Sequence, residues 1–298
     1  MTARPRICVV VKRSTYRLYG KEARLKRLLA RRDATVSRVR RAHADHEATL
    51  AEVRSALAKL GADAHFFEGS RTPLHDHCDL VVTVGGDGTL LAASHQIGKD
   101  VPVLGINSAP ADSVGFFCGA AKGRVLEALR AAVASQLPRT ELARMHVECN
   151  GRPLHSRVLN EALFCHALPA GTSRYILKVR TPEGDETVEE QKSSGVWIGP
   201  AAGSTAAQRS AGGRVLPISS RRLQFVVREP YVPWGERLRL RHGLVDDGGS
   251  ITLLSKMREA KLFVDGVHIV FDCGLGDALV MTRSPESLVV LGLRRGRR

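Results

Sequence analysis

Two short apolar runs constrain the fold of the first half of this chain more than any other feature. Residues 7–11 are apolar throughout, and residues 80–84 contain a single threonine. Short, β-branched runs of this kind are typical of strands that are buried on both faces of a parallel sheet. Between them, apolar residues fall three or four positions apart from Leu50 to Leu60, which predicts a helix over residues 45–60.

The same alternation continues around these runs. Two further strands are predicted at residues 64–67 and 101–106, and two further helices at residues 89–97 and 125–133. Because strands that alternate with helices indicate a parallel sheet covered by helices, we predict an α/β domain over residues 1–137.

The pattern changes after Pro138. The pair Asn150-Gly151 between two strand-like runs predicts a β-hairpin, and short runs of β-forming residues then recur between glycine, proline and aspartate residues. Strands are predicted at residues 145–149, 175–179, 196–198, 223–227, 237–240, 251–254, 261–264 and 268–271. We therefore predict a β-rich second domain over residues 138–283, with the tail, residues 284–298, returning to the first domain.

The composition argues against several classes of protein. No apolar run approaches the roughly 20 residues of a membrane helix, and nothing at the amino terminus resembles a signal peptide or presequence. We therefore expect a cytoplasmic protein without a membrane partner. The net charge of +15 raises the question of nucleic acid, but only 5% of the residues are aromatic and no stacking set lies among the basic clusters. Since a positive field also suits phosphate-bearing substrates, we expect no nucleic-acid partner.

The six cysteines are scattered, and no Cys-x-x-Cys pair occurs. This argues against a zinc ribbon, and cysteines in apolar runs are normally buried, reduced thiols. His75, His77 and Cys78 form the one tight cluster of ligand-type residues. Because no second cluster lies nearby, we predict that the protein itself provides no metal site.

The run Gly85-Gly86-Asp87-Gly88-Thr89, which we call the glycine turn, directly follows a predicted strand. Its glycines let several backbone N–H groups face one point, and the positive end of the following helix faces the same way. Such a turn can hold phosphate without the lysine of a P-loop, whose motif does not occur in this chain. Asp87 lies at its mouth, where a carboxylate can accept a hydroxyl proton. On spacing alone, an ordinary glycine-rich turn is an equal alternative.

A series of segments in a fixed order resembles the NAD kinase family. The glycine turn and its flanks are similar to the family signature. Diacylglycerol kinases, sphingosine kinases and phosphofructokinases share the core of this signature. The other segments are Gly105-Ile106-Asn107, Gly115-Phe116-Phe117, Leu159-Asn160-Glu161, Gly203-Ser204-Thr205-Ala206, Ser210-Ala211-Gly212-Gly213 and Val264-Asp265-Gly266. Residues 190–195 and 227–230 resemble the mitochondrial-type branch of the family. This resemblance concerns the sequence and does not imply a mitochondrial location.

The resemblance implies an NAD kinase and diacylglycerol kinase-like fold, with the α/β domain first and the β-rich domain second. It also implies ATP-dependent phosphorylation of the 2′-hydroxyl on the adenosine ribose of NAD, with NADH as a possible second substrate. Mg²⁺ is implied together with ATP, because the charge on the transferring phosphoryl oxygens must be neutralised. Relatives are dimers or tetramers, which implies a homo-oligomer.

The resemblance further assigns roles to individual residues. It implies that Asp87 deprotonates or orients the 2′-hydroxyl as the catalytic residue. Gly85, Gly86, Gly88 and Thr89 would bind the phosphates of ATP. The residues implied on the dinucleotide are Asn160, Glu161, Ser194, Thr205, Ala206, Ser210 and Asp265, the last of them across a subunit boundary as in relatives.

The chain departs from the family at two places that bear on the dinucleotide. Ser194-Gly195 stands where most NAD kinases have Asp-Gly, although the mitochondrial-type branch also carries Ser-Gly. Ala207 stands where relatives have tyrosine or tryptophan, and Pro200-Ala201-Ala202 replaces Thr-Pro-Thr. An aromatic contact contributes about 0.5–1.5 kcal/mol beyond its buried area. Ala207 therefore bears on the affinity and pose of the dinucleotide more than on the chemistry at Asp87.

Two other functions fit part of the pattern. A diacylglycerol-type lipid kinase shares the glycine turn, but those kinases usually follow the turn directly with Asn-Glu, whereas here Leu90-Leu91 follows and Asn160-Glu161 comes much later. A dinucleotide-binding sensor that has lost turnover is suggested by Ser194 and Ala207. The presence of Asp87, Asn160 and Glu161 together favours the enzyme.

Overall fold

The computed structural model describes residues 4–34, 36–69, 78–235 and 237–293. The helices are α1 (Thr15–Tyr19), α2 (Ala23–Ala30), α3 (Ser37–Lys59), α4 (Asp87–Ser94), α5 (Val125–Val133) and α6 (Ala207–Ser210), and a 3-10 turn covers Ala201–Thr205. The strands are β1 (Arg6–Val11), β2 (Asp63–Glu68), β3 (Leu80–Gly85), β4 (Val103–Asn107), β5 (Cys118–Ala121), β6 (Arg139–Leu142), β7 (Met145–Cys149), β8 (Arg152–Val158), β9 (Ala162–His166), β10 (Ser173–Arg180), β11 (Glu186–Ser193), β12 (Val196–Pro200), β13 (Leu223–Val227), β14 (His242–Val245), β15 (Ser250–Ser255), β16 (Ala260–Val264), β17 (Ile269–Cys273), β18 (Ala278–Arg283) and β19 (Leu288–Leu291).

The chain forms two compact units. The first unit contains the chain up to Glu141 and the segment that begins at Leu288. The second unit spans Leu142–Ser287. No helix in the described part of the chain is long and apolar enough to cross a membrane.

The first unit is built on a seven-stranded sheet. Its order is β2-β1-β3-β4-β19-β6, with β5 paired to β4, and the pairs of β1 with β2, of β3 with β1, and of β4 with β3, β5 and β19 are parallel. The core lies between this sheet and the apolar faces of α3 and α5, with Val53 and Leu129 fully buried. Because the carboxyl ends of parallel strands meet at one edge, the segments after β1, β3 and β4 lie together.

The second unit contains two six-stranded sheets, with the orders β11-β10-β15-β18-β7-β8 and β14-β13-β12-β9-β16-β17. Their strand pairs are antiparallel. The inner faces of both sheets share one apolar core, in which the rings of Phe164 and Tyr175 meet edge to face at 5.7 Å. The predicted combination of an α/β unit with a parallel sheet and a β-rich unit is confirmed.

Some local predictions differ from the structure. The predicted helix over residues 45–60 begins already at Ser37, because its basic first turns carry no apolar stripe that periodicity could detect. The stretch before it contains α1 and α2, and α2 buries only Leu29. The strand predicted at residues 237–240 is wrong, since the strand that pairs with β13 is His242–Val245.

The expectation of reduced thiols is wrong for one pair of cysteines. Cys8 in β1 and Cys78, close before β3, form a disulfide with their Cα atoms 6.0 Å apart, which lies within the usual range for disulfides. The pairing depends on β1 and β3 being neighbours in the sheet, and the sequence does not show this order. Cys118, Cys149, Cys165 and Cys273 are free thiols. His75 and His77 lie outside the described residues.

Candidate functional site

The glycine turn joins β3 to α4. Gly85 is the last residue of β3, Gly86 is the N-cap residue, and Asp87 is the first residue of α4, so the helix begins two residues before the predicted start at Thr89. A Cβ atom on Gly85 would overlap the side chain of Thr89, and one on Gly86 would lie 2.5 Å from Oγ of Ser113. Position 85 therefore needs glycine for space, whereas a methyl group at Gly86 would require the Ser113 hydroxyl to move. At Gly88 a Cβ atom would meet nothing within 4 Å, so this residue leaves the face of the turn open.

The carboxylate of Asp87 is oriented by one backbone group. The N–H of Phe117 donates a hydrogen bond of 2.7 Å to Oδ1 of Asp87, and no hydrogen bond to Oδ2 occurs within the described residues. The second oxygen can therefore accept a proton from a bound hydroxyl group.

Two further segments of the family resemblance support this contact. Gly115 has φ +63° and packs against the side chain of Asn107, whose Nδ2 donates to the carbonyl oxygen of Ser113 at 3.0 Å. The Oδ1 atom of Asn107 accepts from the N–H of Ala109 at 3.2 Å. Asn107 thus fixes the loop that carries Phe117 to Asp87.

In the second unit, Asp265 holds the backbone around Asn160. Its carboxylate accepts hydrogen bonds from the N–H groups of Leu159 (2.8 Å), Asn160 (2.7 Å) and Glu161 (3.0 Å). In return, the N–H of Asp265 donates to the carbonyl oxygen of Glu161 at 2.9 Å. The carboxylate of Asp265 is therefore engaged by the backbone of its own chain, and its direct role in this structure is to position Asn160 and Glu161.

Asn160 and Glu161 present two buried oxygen atoms that lack a partner. Oδ1 of Asn160 and Oε2 of Glu161 are buried, and neither has a hydrogen-bond partner within the described residues. Such orphaned polar atoms are rare in folded proteins and point to a missing ligand or water. Burial, and to a smaller degree the nearby carboxylate of Asp265, raises the pKa of Glu161 to about 7.

Glu161 and Ser194 line one cavity of 380 Å³ in the second unit, together with Trp197 and Arg228. This volume falls within the roughly 300–1,000 Å³ of small-molecule sites. The guanidinium carbon of Arg228 lies 5.8 Å from the ring centre of Trp197, which is within cation–π range.

The remaining residues predicted on the dinucleotide lie in the 3-10 turn or in the short segment that follows it, and neighbours of theirs contact Asn160. Thr205 ends the 3-10 turn, Ala206 follows it, and Ser210 ends α6; none of them is among the described residues that line the 380 Å³ cavity. The 3-10 turn packs on Asn160, because a Cβ atom on Gly203 would collide with the backbone of that residue. Nε2 of Gln208 in α6 also donates to the carbonyl oxygen of Asn160 at 3.3 Å.

Comparisons with known proteins agree with this geometry. The ATP-NAD kinase N-terminal domain family matches residues 7–133. A probable NADH kinase of Oryza sativa subsp. japonica is 37% identical over 235 residues, which cover 74% of this chain and 72% of that protein. The chain belongs to the NAD kinase family.

Other members of the NAD kinase family show the same relationship. The NADH kinase of Arabidopsis thaliana is 35% identical over 235 residues, or 73% of this chain and 74% of that protein. The solved structure of an NAD kinase from Archaeoglobus fulgidus in complex with ATP is similar over 98% of this chain and 94% of that chain, with a TM-score of 0.68 and 21% identity. The yeast NADH kinase complexed with NADH gives a TM-score of 0.71 over 99% and 85%, with 15% identity. The expected family and fold are confirmed, and the protein is an enzyme that transfers phosphoryl groups in a reaction that involves a divalent metal ion with ATP.

Several residues of the site were not predicted from the sequence. Arg228 was noted only as part of a family segment, and Lys12 and Ser108 were not considered for a role beside the glycine turn. Lys12 and Ser108 directly follow β1 and β4, as the glycine turn follows β3. The rule that functional residues collect at the carboxyl ends of parallel strands could have found both of them.

Proposed function

We propose that this enzyme transfers the γ-phosphoryl group of ATP to the 2′-hydroxyl on the adenosine ribose of NAD and NADH. The observation that carries the proposal is the pair of buried oxygens without partners, Oδ1 of Asn160 and Oε2 of Glu161. The vicinal hydroxyls of a ribose are donors that suit one amide oxygen and one carboxylate oxygen. Membership of the NAD kinase family supports the identity of both substrates.

In this reaction Asp87 takes the proton of the attacking hydroxyl. The N–H of Phe117 holds one oxygen of the Asp87 carboxylate, so the other is presented in a fixed direction. The glycine turn would direct backbone N–H groups and the positive end of α4 at the phosphates of ATP. Thr205, Ala206 and Ser210 are proposed on the dinucleotide from the family resemblance.

We propose Mg²⁺ as the divalent ion. Within the described residues, no group of three or more His, Cys, Asp or Glu side chains could hold a metal ion. Those residues fit an ion that is carried by the phosphates of ATP and by water, as Mg²⁺ usually is. Bound there, Mg²⁺ neutralises charge on the transferring phosphoryl oxygens.

One assay tests the proposed function against its alternatives. The purified protein is incubated with ATP and Mg²⁺ and with NAD, NADH or diacylglycerol in turn, and the phosphorylated product is measured. We expect NADP or NADPH and no phosphatidic acid. A phosphorylated lipid would favour the diacylglycerol-type kinase, whereas binding of NAD without any consumption of ATP would favour a sensor.

The charge in the cavity that contains Ser194 affects whether the enzyme prefers NAD or NADH. In most relatives, an aspartate at this position lies near the nicotinamide, and its charge complements the positive ring of NAD. Here Ser194 carries no charge, and Arg228 brings a positive one into the same cavity. One charge pair at 4 Å contributes about 4 kcal/mol at an effective dielectric constant of 20, and much less after desolvation. The neutral ring of NADH needs no such partner, and the two plant relatives above are named as NADH kinases.

We therefore expect kcat/KM for NADH to lie within about tenfold of that for NAD, equivalent to roughly 1.4 kcal/mol. Ser194→Asp should shift the ratio toward NAD, because it restores a carboxylate near the positive ring. Ser194→Asn is the control, because asparagine has the same size as aspartate but carries no charge. A hundredfold preference of the parent for NAD, or equal ratios for the Asp and Asn variants, would contradict this account.

The raised pKa of Glu161 predicts how dinucleotide affinity depends on pH. With its pKa raised to about 7, the carboxyl group of Glu161 is half protonated near pH 7 in the free protein, and its ionised form is the stronger acceptor for the ribose hydroxyls. Affinity should therefore rise as the pH rises through 7, and the Kd for NAD should be about tenfold weaker at pH 6 than at pH 8. Calorimetry measures this change. Glu161→Gln should bind more weakly and remove most of the change between these two pH values, the remainder coming from Asp265, whose pKa burial raises to about 6. A parent Kd that is constant from pH 6 to 8 would refute the role.

A homo-oligomer and a cytoplasmic location stay predictions. Since the carboxylate of Asp265 binds the backbone of its own chain, the proposal of a homo-oligomer rests on the family resemblance.

A further inference from the structure

Two buried glutamine side chains connect Asn160 with the segment that follows α6. Gln208 in α6 is fully buried, and Gln224 in β13 is 2% exposed. A buried amide group destabilises a fold unless its hydrogen bonds are made. Two such groups side by side therefore indicate an arrangement with a definite set of partners.

The two amides form a continuous chain of hydrogen bonds, which we call the glutamine relay. Nε2 of Gln208 donates to the carbonyl oxygen of Asn160 at 3.3 Å, and Nε2 of Gln224 donates to Oε1 of Gln208 at 2.9 Å. At its far end, Gln224 bonds twice to the backbone of Arg214. Its Nε2 donates to the carbonyl oxygen of Arg214 at 3.1 Å, and its Oε1 accepts from the N–H of Arg214 at 2.7 Å.

The backbone of Arg214 fixes the orientation of both amides. An N–H group can only donate, so the oxygen of Gln224 must face the N–H of Arg214, and its nitrogen faces Gln208. The oxygen of Gln208 accepts this bond, which leaves the nitrogen of Gln208 toward Asn160. Because a carbonyl oxygen can only accept, the relay presents a donor where the backbone of Asn160 requires one.

Two glycines leave the space that the glutamine relay occupies. A Cβ atom on Gly199 would lie 2.6 Å from Nε2 of Gln208, and one on Gly213 would lie 3.0 Å from Nε2 of Gln224. The N–H of Gly213 also donates to the carbonyl oxygen of Gln208 at 2.8 Å. Gly213 ends the segment Ser210-Ala211-Gly212-Gly213 of the family resemblance. The relay therefore gives a physical reason for the glycine at the end of this segment.

The relay and Asp265 hold Asn160 from two sides. The N–H of Asn160 donates to the carboxylate of Asp265 at 2.7 Å, and the carbonyl oxygen of Asn160 accepts from Gln208. This carbonyl belongs to the peptide that joins Asn160 to Glu161, so its direction affects where both side chains point. Both side chains carry a buried oxygen without a partner in the described part of the chain.

We propose that Gln208 and Gln224 are positioning residues for the dinucleotide, and that the glutamine relay holds Asn160 and Glu161 in the direction in which their oxygens meet the substrate. The identity of the substrate rests on the proposed function. A buried polar network with all its bonds made stiffens the backbone to which it is attached. A change at Gln224, whose amide bonds to Gln208 and Arg214, therefore alters the site at a distance.

Methionine tests each amide, because it has nearly the size of glutamine and cannot donate a hydrogen bond. Gln208→Met should raise the Kd for NAD by about tenfold, equivalent to roughly 1.4 kcal/mol, and Gln224→Met should raise it by a smaller factor. The KM for ATP should stay near the parent value in both variants. Gln224→Met tests the relay even if Gln208→Met does not fold. An unchanged Kd for NAD in both variants would overturn the proposal.

Gln191→Met is the matched control. Gln191 is a fully buried glutamine of the same unit, and its Nε2 also donates to a backbone carbonyl oxygen, that of Leu240 at 3.2 Å. We expect a parent-like Kd for NAD in this variant, whatever its Tm. A rise as large as that in Gln208→Met would mean that the loss of any buried amide weakens binding, and the positioning role would fall.

A double-variant cycle separates positioning from a general loss of stability. If Gln208 acts through the Asn160 segment, Gln208→Met and Asn160→Ala disturb the same contact with the dinucleotide. The combined loss of NAD affinity should then be at least about threefold smaller than the product of the two single losses. Two losses that simply multiply would show that Gln208 does not act through Asn160.

Thermal unfolding tests the relay without any substrate. Because both amides belong to one chain of hydrogen bonds, Gln224→Met should lower Tm less in a Gln208→Met background than in the parent. Equal reductions would show that the two amides do not act as a unit, which overturns the relay. A parent that neither binds nor phosphorylates NAD would refute the proposed function, whereas the Tm values would still decide whether the relay exists.

Discussion

Replacing Asp87 by asparagine should lower turnover by about 10²–10⁴-fold, which is the usual contribution of a positioned base. Asparagine has the same shape, and its Oδ1 can still accept the hydrogen bond from the N–H of Phe117. The change therefore removes the charge and the proton acceptor and keeps the loop contact. The start of α4 loses a favourable negative charge, which costs about 0.3–1 kcal/mol of stability.

Steady-state kinetics with ATP and NAD, together with thermal unfolding, checks this prediction. Asp100→Asn is the control, because Asp100 is an exposed aspartate in the loop before β4, at the amino end of that strand. We expect parent-like turnover for this control and a KM for NAD that changes little in Asp87→Asn. Turnover of Asp87→Asn within a few-fold of the parent would remove Asp87 from the reaction.

The features predicted correctly from the sequence are those whose signal is local. Residues 7–11 and 80–84 are buried strands because short apolar runs that are rich in β-branched residues have few other stable arrangements. Asn150-Gly151 forms the predicted hairpin between β7 and β8, since few residue pairs tolerate the backbone of such a turn. The glycine turn is recognisable for the same reason, because its spacing lies within five consecutive residues.

The features that were missed depend on contacts between distant parts of the chain. The hydrogen bonds of Asp265 reach backbone groups more than a hundred residues earlier, so the sequence shows an Asp-Gly motif but not where its carboxylate points. The contact between His46 and Ser108 likewise depends on α3 packing beside the end of β4. The strand His242–Val245 was displaced in the prediction because its pairing with β13, and not its own composition, defines it.

The contact between Gly203 and Asn160 leads to the second large expected effect. Gly203 lies in the 3-10 turn, and a Cβ atom there would collide with the carbonyl group of Asn160. The neighbouring atoms are backbone, and the hydrogen bond that the N–H of Asn160 donates to the carboxylate of Asp265 holds the backbone of Asn160 in place. The collision therefore cannot be relieved by rotation of a side chain, and either the turn or the Asn160 segment must move.

We expect Gly203→Ala to cost about 1–3 kcal/mol of folding free energy, the usual penalty for overpacking, which lowers Tm by roughly 2–12 °C. A displacement near 1 Å of groups that position a substrate can cost about 10²-fold in rate. We therefore expect kcat/KM for the dinucleotide to fall by about 10²-fold, while the KM for ATP stays near the parent value.

A matched glycine separates the effect on the site from the general effect of adding a methyl group. Gly274 also lies in the second unit, and a Cβ atom there would meet only Oδ2 of Asp277, at an ordinary distance of 3.7 Å. Gly274→Ala should therefore keep both Tm and kcat/KM close to the parent values. If Gly203→Ala lowers Tm but leaves kcat/KM for the dinucleotide unchanged, the 3-10 turn moves away without disturbing Asn160. Asn160 would then be positioned without the 3-10 turn, and the role of the Gly-Ser-Thr-Ala segment would lie elsewhere.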